Sequence, residues 1–366
     1  MAIQRLTITD FLSKSKNALV LDVRSPGEYQ HAHMPGAHSL PLFTDEKRKV
    51  VGTAYKQQSR EVAIKIGLDY FGPKMRKMVE EVESLLGSRK STEDSPESGK
   101  KEVFVYCWRG GMRSAGVAWL LDLYGFKVYT LAGGYKAFRN YVLQTFTQSY
   151  PFRIIGGYTG SGKTEVLNEL ENIGQVVIDL EDIACHKGSA FGSYKMPPQP
   201  RQEMFENRLA LALQAAMEKI NTPDAITNGL NEIWLEDESQ RIGDLNLPSP
   251  LWKTMRSAPV VFLEIPFEER LNHIVEEYSS CSKEKLIGSV QRISQRLGGL
   301  AAKNTLAFLD EDNFKEAFRI LLAYYDKYYL KGLYNRENLS ALLTKIECVT
   351  TGAKNARQLL IKYPTE

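Results

Sequence analysis

Val103-Phe104-Val105-Tyr106-Cys107-Trp108-Arg109-Gly110-Gly111-Met112-Arg113-Ser114, and further on Phe152-Arg153-Ile154-Ile155-Gly156-Gly157-Tyr158-Thr159-Gly160-Ser161-Gly162-Lys163-Thr164, follow one plan. Each runs from a short apolar strand through a glycine turn into a helical pattern, over 114–123 in the first and 164–172 in the second. Strands that alternate with helices specify a parallel α/β sheet. Working outward, the first sheet gains strands at 18–23 and 128–131, the latter closed by Gly133-Gly134. A helix over 135–150 leads into the next domain. The second sheet gains strands at 176–180, 233–236, 260–265 and 346–350, with a helical insertion over 267–343. The reading is two α/β domains, 1–145 and 146–366.

The 366 residues leave room for two buried cores. With 43% hydrophobic and 25% charged residues the composition is that of a globular protein. No apolar run reaches the ~20 residues that span a bilayer, and Met1–Asp10 lacks the apolar core of a secretory signal. The cysteines at 107, 185, 281 and 348 have neither metal nor disulfide spacing. A reducing, cytoplasmic setting without membrane contact is expected. Charge is unevenly spread: residues 1–150 carry +7, 151–280 carry −9 and 281–366 carry +5. Two basic regions around an acidic one suit a polyanion gripped at both ends. The polar stretch between Ser88 and Lys101 reads as a surface loop.

Cys107 sits where a strand hands over to a helix. Consecutive backbone N–H groups and the helix dipole favour a thiolate or a bound anion there. Gly110 and Gly111 let the loop curl, Met112 and Ser114 complete it, and Arg113 and Arg109 add positive charge. With Asp22-Val23-Arg24-Ser25-Pro26-Gly27-Glu28-Tyr29 and His33-Met34-Pro35-Gly36-Ala37, residues 5–145 resemble the rhodanese superfamily. That resemblance implies a cysteine carrying transferable sulfur or selenium. Five residues separate Cys107 from Arg113, a spacing shared with a class of cysteine phosphatases and one residue longer than in simple sulfurtransferases. Such a loop can hold a phosphate-like anion, although Tyr106 stands where those phosphatases have His.

Gly157-x4-Gly162-Lys163-Thr164 is a full phosphate-binding loop in its strand-to-helix context. Backbone N–H groups around Gly160 and Ser161 can wrap a diphosphate, Lys163 supplies a point charge, and the Thr164 hydroxyl is the usual Mg²⁺ contact. Glu236, at the end of a strand, is the candidate second metal-orienting residue. His186, in the glycine-rich stretch His186–Gly192, together with Arg201 and Arg241, is a further candidate for the phosphate. Tyr324-Tyr325-Asp326-Lys327-Tyr328-Tyr329 reads chiefly as a core face, with stacking on unpaired bases the alternative. Cys185, Cys281 and Cys348 read as small hydrophobes.

A rhodanese-like domain followed by a P-loop NTPase-like domain with a helical insertion resembles the tRNA 2-selenouridine synthase family. The resemblance rests on both loops, on Val51-Gly52-Thr53-Ala54-Tyr55-Lys56-Gln57, on His186–Gly192 and on Glu236-Asp237-Glu238-Ser239 with Ile242-Gly243. It implies that the sulfur of a wobble 2-thiouridine attacks geranyl diphosphate, and that selenium from selenophosphate then displaces the geranylthio group. The phosphate loop would bind the prenyl diphosphate and the cysteine loop the selenophosphate. Lys47, Arg48, Lys49 and Lys56, with the basic helical region after 281, are expected to hold the tRNA anticodon arm. An ATP-dependent tRNA sulfurtransferase, or a kinase fused to a sulfur carrier, shares the same motifs. A non-enzymatic rhodanese-fold binding module would lack a reactive Cys107.

Overall fold

Leu19–Asp22 is buried along its whole length, which a strand achieves only between neighbours and beneath helices on both faces. The computed structural model describes residues 3–88, 101–278 and 280–362, divided into the units Met1–Gln144 and Thr145–Glu366. The segment between Ser88 and Lys101 lies outside the described residues.

In the first unit β1 (Gln4–Leu6), β2 (Leu19–Asp22), β3 (His38–Ser39), β4 (Glu102–Tyr106) and β5 (Lys127–Leu131) form a sheet of order β1-β5-β4-β2-β3. Every pairing is parallel. Leu19, Leu21, Val103 and Val105 meet Val117 and Leu121 of the helix Met112–Tyr124 in the core. Helices Asp45–Gln57, Arg60–Phe71 and Met75–Ser88 fill the path from β3 to β4. The three central strands are legible in the sequence, whereas β1 and β3 are not, because three and two residues carry no period.

A charge pair lies beneath this sheet's carboxyl edge. Arg24 and Asp22 are 1% and 0% exposed, and Arg24 Nη2 donates to Asp22 Oδ2 at 2.6 Å and to Ala32 O at 2.7 Å. The Tyr106 hydroxyl donates to Asp22 Oδ2 at 2.9 Å and accepts from Met34 N at 3.1 Å. The Arg24 guanidinium also lies 3.8 Å from the Tyr135 ring centre.

In the second unit β6 (Phe152–Gly157), β7 (Val176–Val177), β8 (Ile233–Glu236), β11 (Val260–Glu264) and β12 (Leu343–Glu347) give the order β12-β11-β6-β8-β7, and β9 (Arg241–Ile242) and β10 (Leu245–Asn246) form an antiparallel hairpin. The expected strand over 176–180 stops at Val177, because the Asp179 carboxylate accepts from Asp182 N at 2.7 Å and starts the helix Leu180–Ala184. The last strand begins earlier than expected, at Leu343, opposite Val260. Between β11 and β12 the helices Phe267–Tyr278, Lys283–Leu297, Gly299–Asp310 and Phe314–Tyr334 pack around Leu271, Leu286, Val290, Phe318 and Leu321. Among the described residues no helix is long and apolar enough to cross a membrane.

Removing one partner of a buried ion pair strands the other. Arg24→Ala is therefore expected to destabilise the first unit by about 3–5 kcal/mol, read as an earlier urea transition. A transition close to that of wild type would show that Asp22 is not left as an uncompensated buried charge.

Candidate active sites

β4 delivers Cys107 to the amino end of the helix Met112–Tyr124, so the sulfur faces unpaired backbone donors. Cys107 is 3% exposed. Its Sγ accepts from Gly111 N at 3.4 Å and lies 3.2 Å from Ser114 Oγ. The outer carbonyls of the turn are already paired: Tyr135 N donates to Cys107 O at 2.8 Å and Lys136 N to Trp108 O at 3.0 Å. Two glycines make the close approach possible. Gly110 has φ 62°, and Gly134 has φ 58° and no room for a Cβ, which would lie 2.2 Å from Cys107 O. Gly134 belongs to the site although its motif read only as a strand end.

Arg113 does not point freely into the loop. Its Nη1 donates to Glu28 Oε2 at 2.8 Å, and Arg48 Nε is 3.6 Å from the same oxygen. Glu28 also accepts from Ser25 N at 3.1 Å and Ser25 Oγ at 3.0 Å. Glu28 thus joins the cysteine loop to the basic helix Asp45–Gln57, a link its place in the Asp22–Tyr29 motif did not announce. Lys49 and Lys56 of that helix are exposed, while Lys47 Nζ lies 4.9 Å from the Tyr70 ring centre. Trp108, Arg109 and Met112 are exposed at the loop.

In the second unit β6 is central, and its carboxyl end opens into the phosphate loop ahead of the helix Lys163–Asn172. Gly160 and Gly162 take φ 78° and 72°, a conformation that L side chains rarely adopt. Lys163 Nζ donates to Gly157 O at 3.2 Å. Ser161 Oγ is buried with no hydrogen-bond partner, a donor held inside the turn. The loop is gripped from outside at two points. Tyr329 Oη accepts from Gly157 N at 3.1 Å and donates to Asp237 Oδ2 at 2.9 Å. Arg270 Nη1 donates to Thr159 O at 3.1 Å while pairing with both Asp326 oxygens at 2.8 Å.

Carboxylates converge beside Thr164. Its Oγ1 donates to Glu181 Oε2 at 3.4 Å, and Glu181 N donates to Glu236 Oε1 at 2.8 Å. Glu236 Oε2 is buried and unpartnered. Burial first, and then the charges of Asp179, Glu181 and Glu238, push the Glu236 carboxyl well above its ordinary range. A cavity of about 1410 Å³ runs from Gly160–Thr164 and Glu236 past Lys187, Ile274 and Tyr278 to Tyr324, Tyr325, Tyr328 and Trp252. The tyrosine stripe therefore has two faces. Tyr324 and Tyr325 pack against the helical core, but all four tyrosines also line the cavity.

His186, Arg201 and Arg241 are not part of that lining. Arg241 is turned onto its own hairpin, donating to Gly243 O at 2.8 Å and Asp244 Oδ1 at 3.2 Å. Arg201 is exposed and precedes the helix Gln202–Ile220. Burial lowers the basicity of His186, and its neighbour Lys187 is the side chain that faces the cavity. Cys185 and Cys348 are buried, whereas Cys281 is half-buried.

Burial opposes ionisation of Glu28, but the hydrogen bond and charge of Arg113 outweigh it and hold the carboxyl below its ordinary value of 4.5. Such a group stabilises the fold above that unfolded-state value and loses this contribution as pH falls through the lowered folded-state value. Stability of the first unit, followed by urea unfolding, is expected to decline as pH drops below 4.5. Glu28→Gln should flatten that decline; an unchanged slope in the variant would assign it to other carboxylates.

The family model for the tRNA 2-selenouridine synthase AAA domain matches residues 150–357, and the rhodanese-like domain model matches residues 8–141. The chain is 35% identical over 345 residues to the tRNA 2-selenouridine synthase of Hydrogenovibrio crunogenus, covering 86% of this chain and 89% of that protein. It is 35% identical over 301 residues to that of Pseudomonas putida, covering 76% of each. With a domain model matching more than half its length and relatives this similar, the chain belongs to the tRNA 2-selenouridine synthase family, transferases that join a rhodanese domain to an AAA-type domain for selenium modification of tRNA.

Proposed function

We propose that the two cradles divide a two-step conversion of wobble 2-thiouridine to 2-selenouridine. In the first step the thiouridine sulfur forms a bond to C1 of geranyl diphosphate, the C1–O bond breaks, and pyrophosphate leaves. In the second, selenium from selenophosphate forms a bond to C2 of the base, the C2–S bond breaks so that geranylthiolate departs, and water then cleaves the Se–P bond and releases phosphate. The observation that carries the reading is the cavity that joins a phosphate cradle to an apolar and aromatic wall. A diphosphate with a hydrocarbon tail needs both surfaces in one site.

In this reading the loop N–H groups, Ser161 Oγ and Lys163 Nζ hold the diphosphate and stabilise the charge that develops on it as it leaves. Ile274, Tyr278 and Tyr325 line the path of the tail. The selenophosphate belongs to the cysteine loop, where the Cys107–Arg113 spacing and the amino end of the helix Met112–Tyr124 suit its phosphate end. There an arriving anion would compete with Glu28 for Arg113.

The oxygen donors of Thr164, Glu181 and Glu236, one of them unpartnered and buried, fit Mg²⁺. Mg²⁺ is commonly held by one or two carboxylates together with substrate phosphates. The ion would supply positive charge to the departing diphosphate. The tRNA reaches the first unit through Arg48, Lys49 and Lys56, whose helix is tied to the cysteine loop by Glu28.

Mass spectrometry of wobble nucleosides tests the division. With thiolated tRNA, geranyl diphosphate and selenophosphate supplied, Lys163→Ala should slow geranylation by about 100-fold or more. Cys107→Ala should spare geranylation and abolish selenation. Loss of both steps in a folded Cys107→Ala protein, or robust tRNA-stimulated ATP hydrolysis by the wild type, would count against the reading.

A further inference from the structure

We infer that Tyr324 and Tyr328, with Arg296, form the platform on which the target nucleobase stacks while its sulfur faces the phosphate loop. The inference deepens the reading above and rests on it. Tyr324 and Tyr328 are one helical turn apart on the helix Phe314–Tyr334 and touch, with ring centres 4.7 Å apart. Leu321 and Leu322 of that helix are buried at 2% and 1%, so the helix already has its core face. Tyr328, by contrast, is 46% exposed while lining the cavity that holds the phosphate loop. A ring serving only to fill the core would be covered.

The surroundings select the ligand class. Arg296 lines the same cavity. Lys253 and Arg256 line its wall as well. Aromatic rings beside guanidinium and ammonium groups suit an unpaired base with its flanking phosphates, whereas a hydrocarbon tail has no use for the cations. The more enclosed wall formed by Ile274 and Tyr278, which are 5% and 8% exposed, is left to the tail.

The test uses a fluorescently labelled anticodon stem-loop with 2-thiouridine at the wobble position, a second stem-loop abasic there, and geranyl diphosphate, each titrated against the intact protein. Tyr328→Ala should raise the Kd for the thiouridine stem-loop about 5- to 150-fold, the worth of one stacked base. It should leave the abasic stem-loop and geranyl diphosphate within twofold of wild type, and Tyr328→Trp should restore binding. Equal losses on both stem-loops, or a loss confined to geranyl diphosphate, would overturn the platform while leaving the two-step reading intact. A wild-type protein that binds neither RNA nor geranyl diphosphate would overturn both.

Discussion

A parallel strand that ends at a helix leaves several backbone N–H groups unpaired and aimed at one spot. The two cradles are built in the same manner. Their outer polar groups are satisfied by neighbours, as when Tyr135 N takes Cys107 O and Arg270 takes Thr159 O. Their turns are built where a Cβ would collide, at Gly110 and Gly134 in one case and at Gly157 and Gly160 in the other.

The supports beneath the two turns differ in chemistry. Under the cysteine loop lies a fully buried ion pair, Asp22 with Arg24, with Tyr106 on one side and Tyr135 on the other. Such a pair contributes little net stability but tolerates few alternatives, because any shift would leave a charge unpaired in a dry interior. That rigidity suits a sulfur that must stay within reach of Gly111 N. It also gives a structural role to Tyr106, which at first reading was only a departure from the phosphatase pattern.

Under the phosphate loop the support comes from far along the chain. The helix Phe314–Tyr334 supplies Tyr329 to Gly157 and Asp326 to Arg270, holding the loop at both ends. Asp237 ties Tyr329 to Arg336, which reaches the carbonyls of Met255 and Arg256. The helical insertion is therefore both a wall of the cavity and a clamp on its floor. A ligand that moves the loop must also move this helix, which carries the tyrosines of the cavity wall.

From residue order alone came the features written in local pattern: strand, glycine turn and helix at both loops, the central strands of both sheets, and the helical character of 267–343. Each depends on neighbours within about ten residues, where periodicity and turn chemistry operate. Pairings across long stretches of chain were decided only in the folded protein. Nothing local to Glu28 says that Arg113, 85 residues away, will take its carboxylate, nor that Tyr329 will bond to Gly157 across 172 residues. His186, Arg201 and Arg241 looked able to meet a phosphate, since charge is legible in sequence and direction is not. The hairpin turned Arg241 onto Asp244, and the fold brought Lys187 to the cavity wall.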